Sequence, residues 1–89
     1  GSVQDTLGFV LLKNKKFEEA EKILKKAAET MPGNASIQYH LALAYKERNN
    51  DALAIEHVRK AISAGDFPEA EQAKALLTKL TGGKAQAAK

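Results

Sequence analysis

Apolar positions along the chain recur at the spacing of a helix and not at the alternation of a strand. Val3, Leu7, Val10 and Leu11 stand at i, i+4, i+7 and i+8, which is one face of a helix with about 3.6 residues per turn. Asn14–Lys16 interrupts that stripe. Phe17, Ala20, Leu24, Ala27, Ala28 and Met31 form a second one. Pro32-Gly33-Asn34 stops it, and Asn34 is suited to cap a third helix with the stripe Ile37, Leu41, Ala44 and Tyr45. Asn49-Asn50 predicts the next turn, because asparagine tolerates the left-handed backbone and caps helices. The fourth stripe is Ala54, Val58, Ala61 and Ile62, ended by Gly65. A fifth helix is predicted from Asp66-Phe67-Pro68-Glu69, with Asp66 as cap, Pro68 in the first turn and Glu69 as a capping-box carboxylate. Its stripe is Ala70, Ala73, Leu76, Leu77 and Leu80. Residues 82–89, with Gly82-Gly83 and no large apolar side chain, are expected to be a disordered tail.

The stripes repeat. Shifted by 34 positions, Val3 meets Ile37, Gln4 meets Gln38, Leu7 meets Leu41, Gly8 meets Ala42, Leu11 meets Tyr45, Ala20 meets Ala54, Leu24 meets Val58 and Ala27 meets Ala61. Small residues at Gly8/Ala42, Ala20/Ala54 and Ala27/Ala61 let two helices approach closely. The larger Leu7, Leu11 and Leu24, with Leu41, Tyr45 and Val58, are expected to fill the space around those contacts. The predicted fold is all-α: two antiparallel helical hairpins stacked side by side.

The period of 34, with Leu7-Gly8, Leu11, Ala20, Leu24, Ala27 and Pro32, resembles a tetratricopeptide repeat. The second repeat matches through Leu41-Ala42, Tyr45, Ala54, Val58 and Ala61. Asp66 stands where that family usually has proline, and Gln4 and Gln38 replace its bulky aromatic. The resemblance implies an α-α superhelix, with one repeat at 3–34, a second at 35–66 and a capping helix at 67–81, behind a tag scar at 1–2. In the fifth helix, Leu76 and Leu80 fall on Leu7 and Leu11 at an offset of 69, but Leu77 falls on Gly8, where a partner helix needs a small side chain. It is therefore expected to cover the end of the stack. Asp5-Thr6-Leu7-Gly8-Phe9 and Tyr39-His40-Leu41-Ala42-Leu43-Ala44-Tyr45 resemble repeats of bacterial scaffold proteins, some of them in export systems of the envelope. The segment is accordingly expected to be the C-terminal end of a longer array, in the cytoplasm or at the bacterial envelope.

Composition supports helices and removes several chemistries. Ala, Glu, Lys, Leu and Arg make up more than half of the chain. There is no cysteine, hence no disulfide and no thiolate. The net charge is +3, from 14 Lys and Arg against 11 Asp and Glu. Two of the positive charges, Lys84 and Lys89, lie in the tail. Both signs are interspersed and Arg occurs only twice, so a nucleic-acid interface is not expected. Apolar runs such as Phe9–Leu12 are far too short to insert into a membrane. His40 and His57 have no cysteine or carboxylate at metal-ligand spacing and are expected to be ordinary, partly exposed histidines. Ser2, Ser36 and Ser63 lie in no nucleophile context. Glu18-Glu19 and Glu69/Glu71 sit in first helical turns, where the helix dipole favours them. No catalytic, cofactor or metal site is expected, and no enzymatic activity.

What the hairpin cores leave unexplained is the other side of the first helices. Phe9 and Leu12 point away from the Leu7–Leu11 stripe, with Asp5 and Lys13 beside them. Tyr39 and Leu43 are likewise turned from Leu41 and Tyr45, with His40 and Lys46 flanking. The resemblance places these eight positions, Asp5, Phe9, Leu12, Lys13, Tyr39, His40, Leu43 and Lys46, in a concave groove that takes a partner protein's peptide or helix. Some members hold a C-terminal carboxylate there with Lys and Asn; Asp5 and Phe9 cannot make that clamp. The expected ligand is an apolar or amphipathic segment. The alternatives are a purely structural end-cap or self-association module, including a weak homodimer through the first helix or the groove, and, more weakly, a basic nucleic-acid-binding module.

Overall fold

The computed structural model describes residues 2–65 and 67–82, with side chains from residue 7 onward. Five helices follow one another: α1 (Ser2–Lys13), α2 (Phe17–Thr30), α3 (Ala35–Glu47), α4 (Asp51–Ser63) and α5 (Ala70–Thr81). There is no strand among the described residues. Asparagine starts two of the helices. The Asn34 side chain accepts from the Ile37 N–H at 3.1 Å, and Asn50 accepts from the Leu53 N–H at 3.3 Å. Each satisfies one of the donors a helix start leaves open. Asn49 takes the left-handed backbone of the turn before α4, at φ 63°. The turn before α2 has the same shape without that chemistry: Lys15 is left-handed at φ 62°, and Lys16 makes no side-chain cap.

The fifth helix begins at Ala70, four residues after the start expected at Asp66, which lies outside the described residues. Glu69 occupies the cap position and caps nothing. Its carboxylate is engaged elsewhere, by Ser36 and His40 of α3. The helix ends on a left-handed Gly82, φ 68°. Residues 83–89, the expected tail, lie outside the described residues.

Three-residue turns leave no room for a crossover, so α1–α2 and α3–α4 are antiparallel hairpins. α2 packs on α3, α4 on α5, and α1 on both α2 and α3, giving a stack 37 × 25 × 19 Å. Two apolar clusters run through it. The first joins Leu24, Ala27, Ile37, Leu41, Ala44 and Tyr45, with Leu11 and Leu12 of α1 packed against it. The second joins Tyr39, Ala42, Val58, Ala61, Ala73 and Leu76, across α3, α4 and α5. Ala20, Ala27, Ala42, Ala54 and Ala61, the small positions of the repeat, are all fully buried. Gly8 is the tightest: a Cβ there would fall 2.5 Å from Leu24 Cδ2.

One stripe departs from the expectation. Leu7 and Val10 are 47% and 45% exposed instead of filling the first hairpin. Gly8 is the residue of α1 that meets Leu24, and the partly buried Leu11 and Leu12 pack against the same cluster. Helix α1 is the edge of the stack, with α2 and α3 on one side of it, and Leu7 and Val10 lie on the uncovered side.

Candidate functional site

An open cleft of about 300 Å³ lies along the seam between α1 and α3. Phe9, Leu12 and Lys13 of α1 line it, with Lys15 from the turn, Phe17 at the start of α2, and Leu43 and Glu47 of α3. Phe9 and Leu43 are equivalent positions, 34 apart, so the repeat itself sets them side by side. The floor is apolar and the rim is charged. Lys13 Nζ stands 5.1 Å from the centroid of the Phe9 ring, a cation–π contact that keeps the ammonium over the cleft. Glu47 is held by Lys46 at 3.4 Å.

Of the eight residues expected in the groove, Phe9, Leu12, Lys13 and Leu43 come together here, and Lys46 stands at the edge through its pair with Glu47. The side chain of Asp5 lies outside the described residues. Tyr39 and His40 do not line the cleft: they sit about a turn earlier on α3 and are only 9% and 4% exposed. Tyr39 belongs to the α3–α4–α5 cluster, its ring 6.2 Å from that of Phe67. Burial, and then the Glu69 carboxylate, raise its hydroxyl pKa above the ordinary value.

His40 is not the partly exposed histidine expected. Its ring stacks beneath Phe9, centroids 4.7 Å apart and planes 25° apart. Its Nε2–H donates to Glu69 Oε2 at 3.2 Å, and the Ser36 hydroxyl donates to Glu69 Oε1 at 3.1 Å. A buried imidazole needs such a partner, and the segment leading into α5 supplies it. The cleft floor at Phe9 therefore rests on His40, and His40 is anchored by the segment that opens the last helix.

His57 is half-buried and tied into a chain of hydrogen bonds. Gln38 Nε2 donates to the Pro32 carbonyl at 3.0 Å. That fixes the amide, so Gln38 Oε1 faces His57 and accepts from its Nδ1–H at 2.7 Å. The Tyr45 ring stacks on the imidazole at 5.4 Å. Burial, and then Lys60, lower the His57 pKa, against a smaller opposing effect of Glu56. Gln38, nearly fully buried, thus links the Pro32 turn, α3 and α4 through its amide.

Phe17, Lys15 and Glu47 were not among the groove positions legible in the sequence. Periodicity puts Phe17 on the inward stripe of the second helix. The available signal was its counterpart at a shift of 34, Asp51: an aromatic where the other repeat is acidic is not needed by the shared core. No group of three His, Cys, Asp or Glu that could hold a metal ion occurs among the described residues. No helix among them is long and apolar enough to cross a membrane.

The family model described as the tetratricopeptide repeat matches residues 11–80. No curated protein and no solved structure matches the chain.

Proposed function

The chain belongs to the tetratricopeptide-repeat family, and from that premise we propose that it holds an apolar or amphipathic segment of a partner protein in the cleft between α1 and α3. Domains of this family generally mediate protein–protein interaction and are typically scaffolds without catalysis of their own. Two repeats, 3–34 and 35–66, supply the two walls, and α5, Ala70–Thr81, closes the far end of the stack. The observation that carries the reading is the apolar floor of Phe9, Leu12, Phe17 and Leu43 left open to solvent over about 300 Å³, room for one large side chain of a ligand. Nucleic acid is not the partner in this reading, because charges of both signs are interspersed along the sequence and Arg occurs only twice.

The test compares three forms of the protein as bait: wild type, Phe9→Lys, and Arg59→Glu on the exposed side of α4. Circular dichroism checks that each is folded. A partner retained by wild type and Arg59→Glu but lost from Phe9→Lys is the expected result. Equal retention by all three overturns the cleft as the binding surface.

A second reading rests on a different observation, the exposure of Leu7 and Val10 on the uncovered side of α1. Two copies packed through that face would remove it from water as a weak homodimer. Sedimentation over a hundredfold concentration range checks it. A rise in mass abolished by Val10→Lys is expected, and a constant mass of 9.6 kDa removes the dimer.

A further inference from the structure

Among the described residues the rim of the cleft has a sign. Its lining contributes Lys13, Lys15 and Glu47, and Glu47 is already matched by Lys46. Among the described residues neither Lys13 nor Lys15 pairs with a carboxylate; Lys13 instead lies over the Phe9 ring. Two ammonium groups therefore face a ligand on the apolar floor.

The backbone points the same way. Lys15 and Asn49 are equivalent in the repeat and share one left-handed conformation, φ 62° and 63°. Lys16 and Asn50 are the equivalent cap positions, and only the asparagine makes a cap. In the turn before α4 the chain uses the residue type that suits this geometry. In the turn beside the cleft it carries a lysine in a conformation a long side chain disfavours. The local rule kept at the second turn is broken at the first, on the edge of the cleft.

We propose that the cleft is selective for an acidic amphipathic segment: one large apolar or aromatic side chain seated among Phe9, Leu12, Phe17 and Leu43, with Asp or Glu side chains of the partner reaching Lys13 and Lys15. This rests on the reading of the cleft as the binding surface and adds the chemistry of what it takes. The carboxylates engaged are side chains flanking an anchor, inside a partner segment. The pairing is exposed, so it contributes selectivity and salt dependence more than affinity.

The experiment uses a displayed library of random 12-residue peptides as the probe, selected on the wild-type protein. Enriched peptides are resynthesised, and their site is mapped from backbone amide shifts in the wild-type protein. Peptides that move Phe9, Leu12, Phe17 and Leu43 are expected to carry Asp or Glu within two residues of the apolar anchor. Their affinity is expected to fall about tenfold on Lys13→Glu/Lys15→Glu, and affinity for the wild-type protein is expected to fall when salt is raised. Both lysines are exposed, so the double variant is expected to retain its fold, which circular dichroism checks. Cleft-binding peptides without acidic enrichment, or indifferent to the double variant, overturn the acidic selectivity and leave the cleft standing. Peptides that map elsewhere, or no enrichment at all, overturn the cleft itself.

Discussion

Leu7 and Leu41 hold the same position in helices that repeat every 34 residues, yet one is 47% exposed and the other 1%. Val10 and Ala44 differ in the same way. Helix α3 packs on α1, α2 and α4, whereas among the described residues α1 packs mainly on α2 and α3. The facing residues differ too. The first hairpin pairs a glycine with a leucine, Gly8 with Leu24, where the second has Ala42 and Val58 in one cluster: one carbon moved from the second helix to the first. The turns differ most in kind, Lys15-Lys16 against Asn49-Asn50. A repeat thus conserves a shape while each copy meets its own neighbours, and the copy at the edge is left with an apolar face, an open cleft and a poorer turn.

The sharpest way to break the comparison is to truncate the matching leucines. Leu41→Ala empties a fully enclosed site and is expected to cost about 3 kcal/mol; Leu7→Ala, already half in water, is expected to cost under about 1 kcal/mol. Urea unfolding of the two variants measures both, and equal losses would mean that α1 is covered in solution. Next, Gly8→Leu drives a side chain into Leu24 and is expected to cost about 2 kcal/mol. The smaller change Gly8→Ala should be relieved by adding Leu24→Val, which copies the Ala42–Val58 arrangement. A double variant no more stable than Gly8→Ala alone would show that the two repeats do not share this packing logic.

The turns give a gain instead of a loss. Lys16→Asn supplies the missing cap of α2 and is expected to add about 1 kcal/mol, and Lys15→Asn about half as much by easing the left-handed residue. The thermal midpoint of each reads the effect. If Lys15 is kept for its charge, Lys15→Asn raises the midpoint while weakening acidic peptides, a trade of binding against stability.

The smallest effect concerns pH. His57 stands where the first hairpin has Ile23, so this titration belongs to the second hairpin alone. Burial holds its pKa below the usual 6.5 in the folded chain. As pH falls through 6.5 the unfolded chain takes up a proton that the folded chain resists, so stability declines, levelling off below the lowered folded value. His57→Gln should flatten that part of the curve of thermal midpoint against pH; an unchanged slope would show that His57 is not its source.

Much of this was legible along the chain. Asn34, Asn49 and Asn50 announce their turns because capping and left-handed geometry are local properties of those residues. Gly8, Ala20, Ala27, Ala42, Ala54 and Ala61 announce the close contacts because only a small side chain suits them. Helical angle turns Phe9, Leu12 and Leu43 away from the hairpin cores, and the family resemblance places them with Lys13 on one groove. The expectations that missed share another feature: each depended on a residue far away in sequence. His40 is buried because Glu69, 29 residues on, offers it a carboxylate. Glu69 leaves its own helix uncapped for the same reason.

By itself, then, the sequence determined the helices, their period of 34 and the small-residue seams on which they meet, since these follow from side-chain size and spacing within a few turns. Only the tertiary structure decided which copies of a repeated position are buried, that His40 supports Phe9 from beneath, and that Phe17, Lys15 and Glu47 complete the cleft. Periodicity says which way a side chain points from its own helix, whereas burial, hydrogen-bond partners and cavities depend on what the rest of the chain places opposite it.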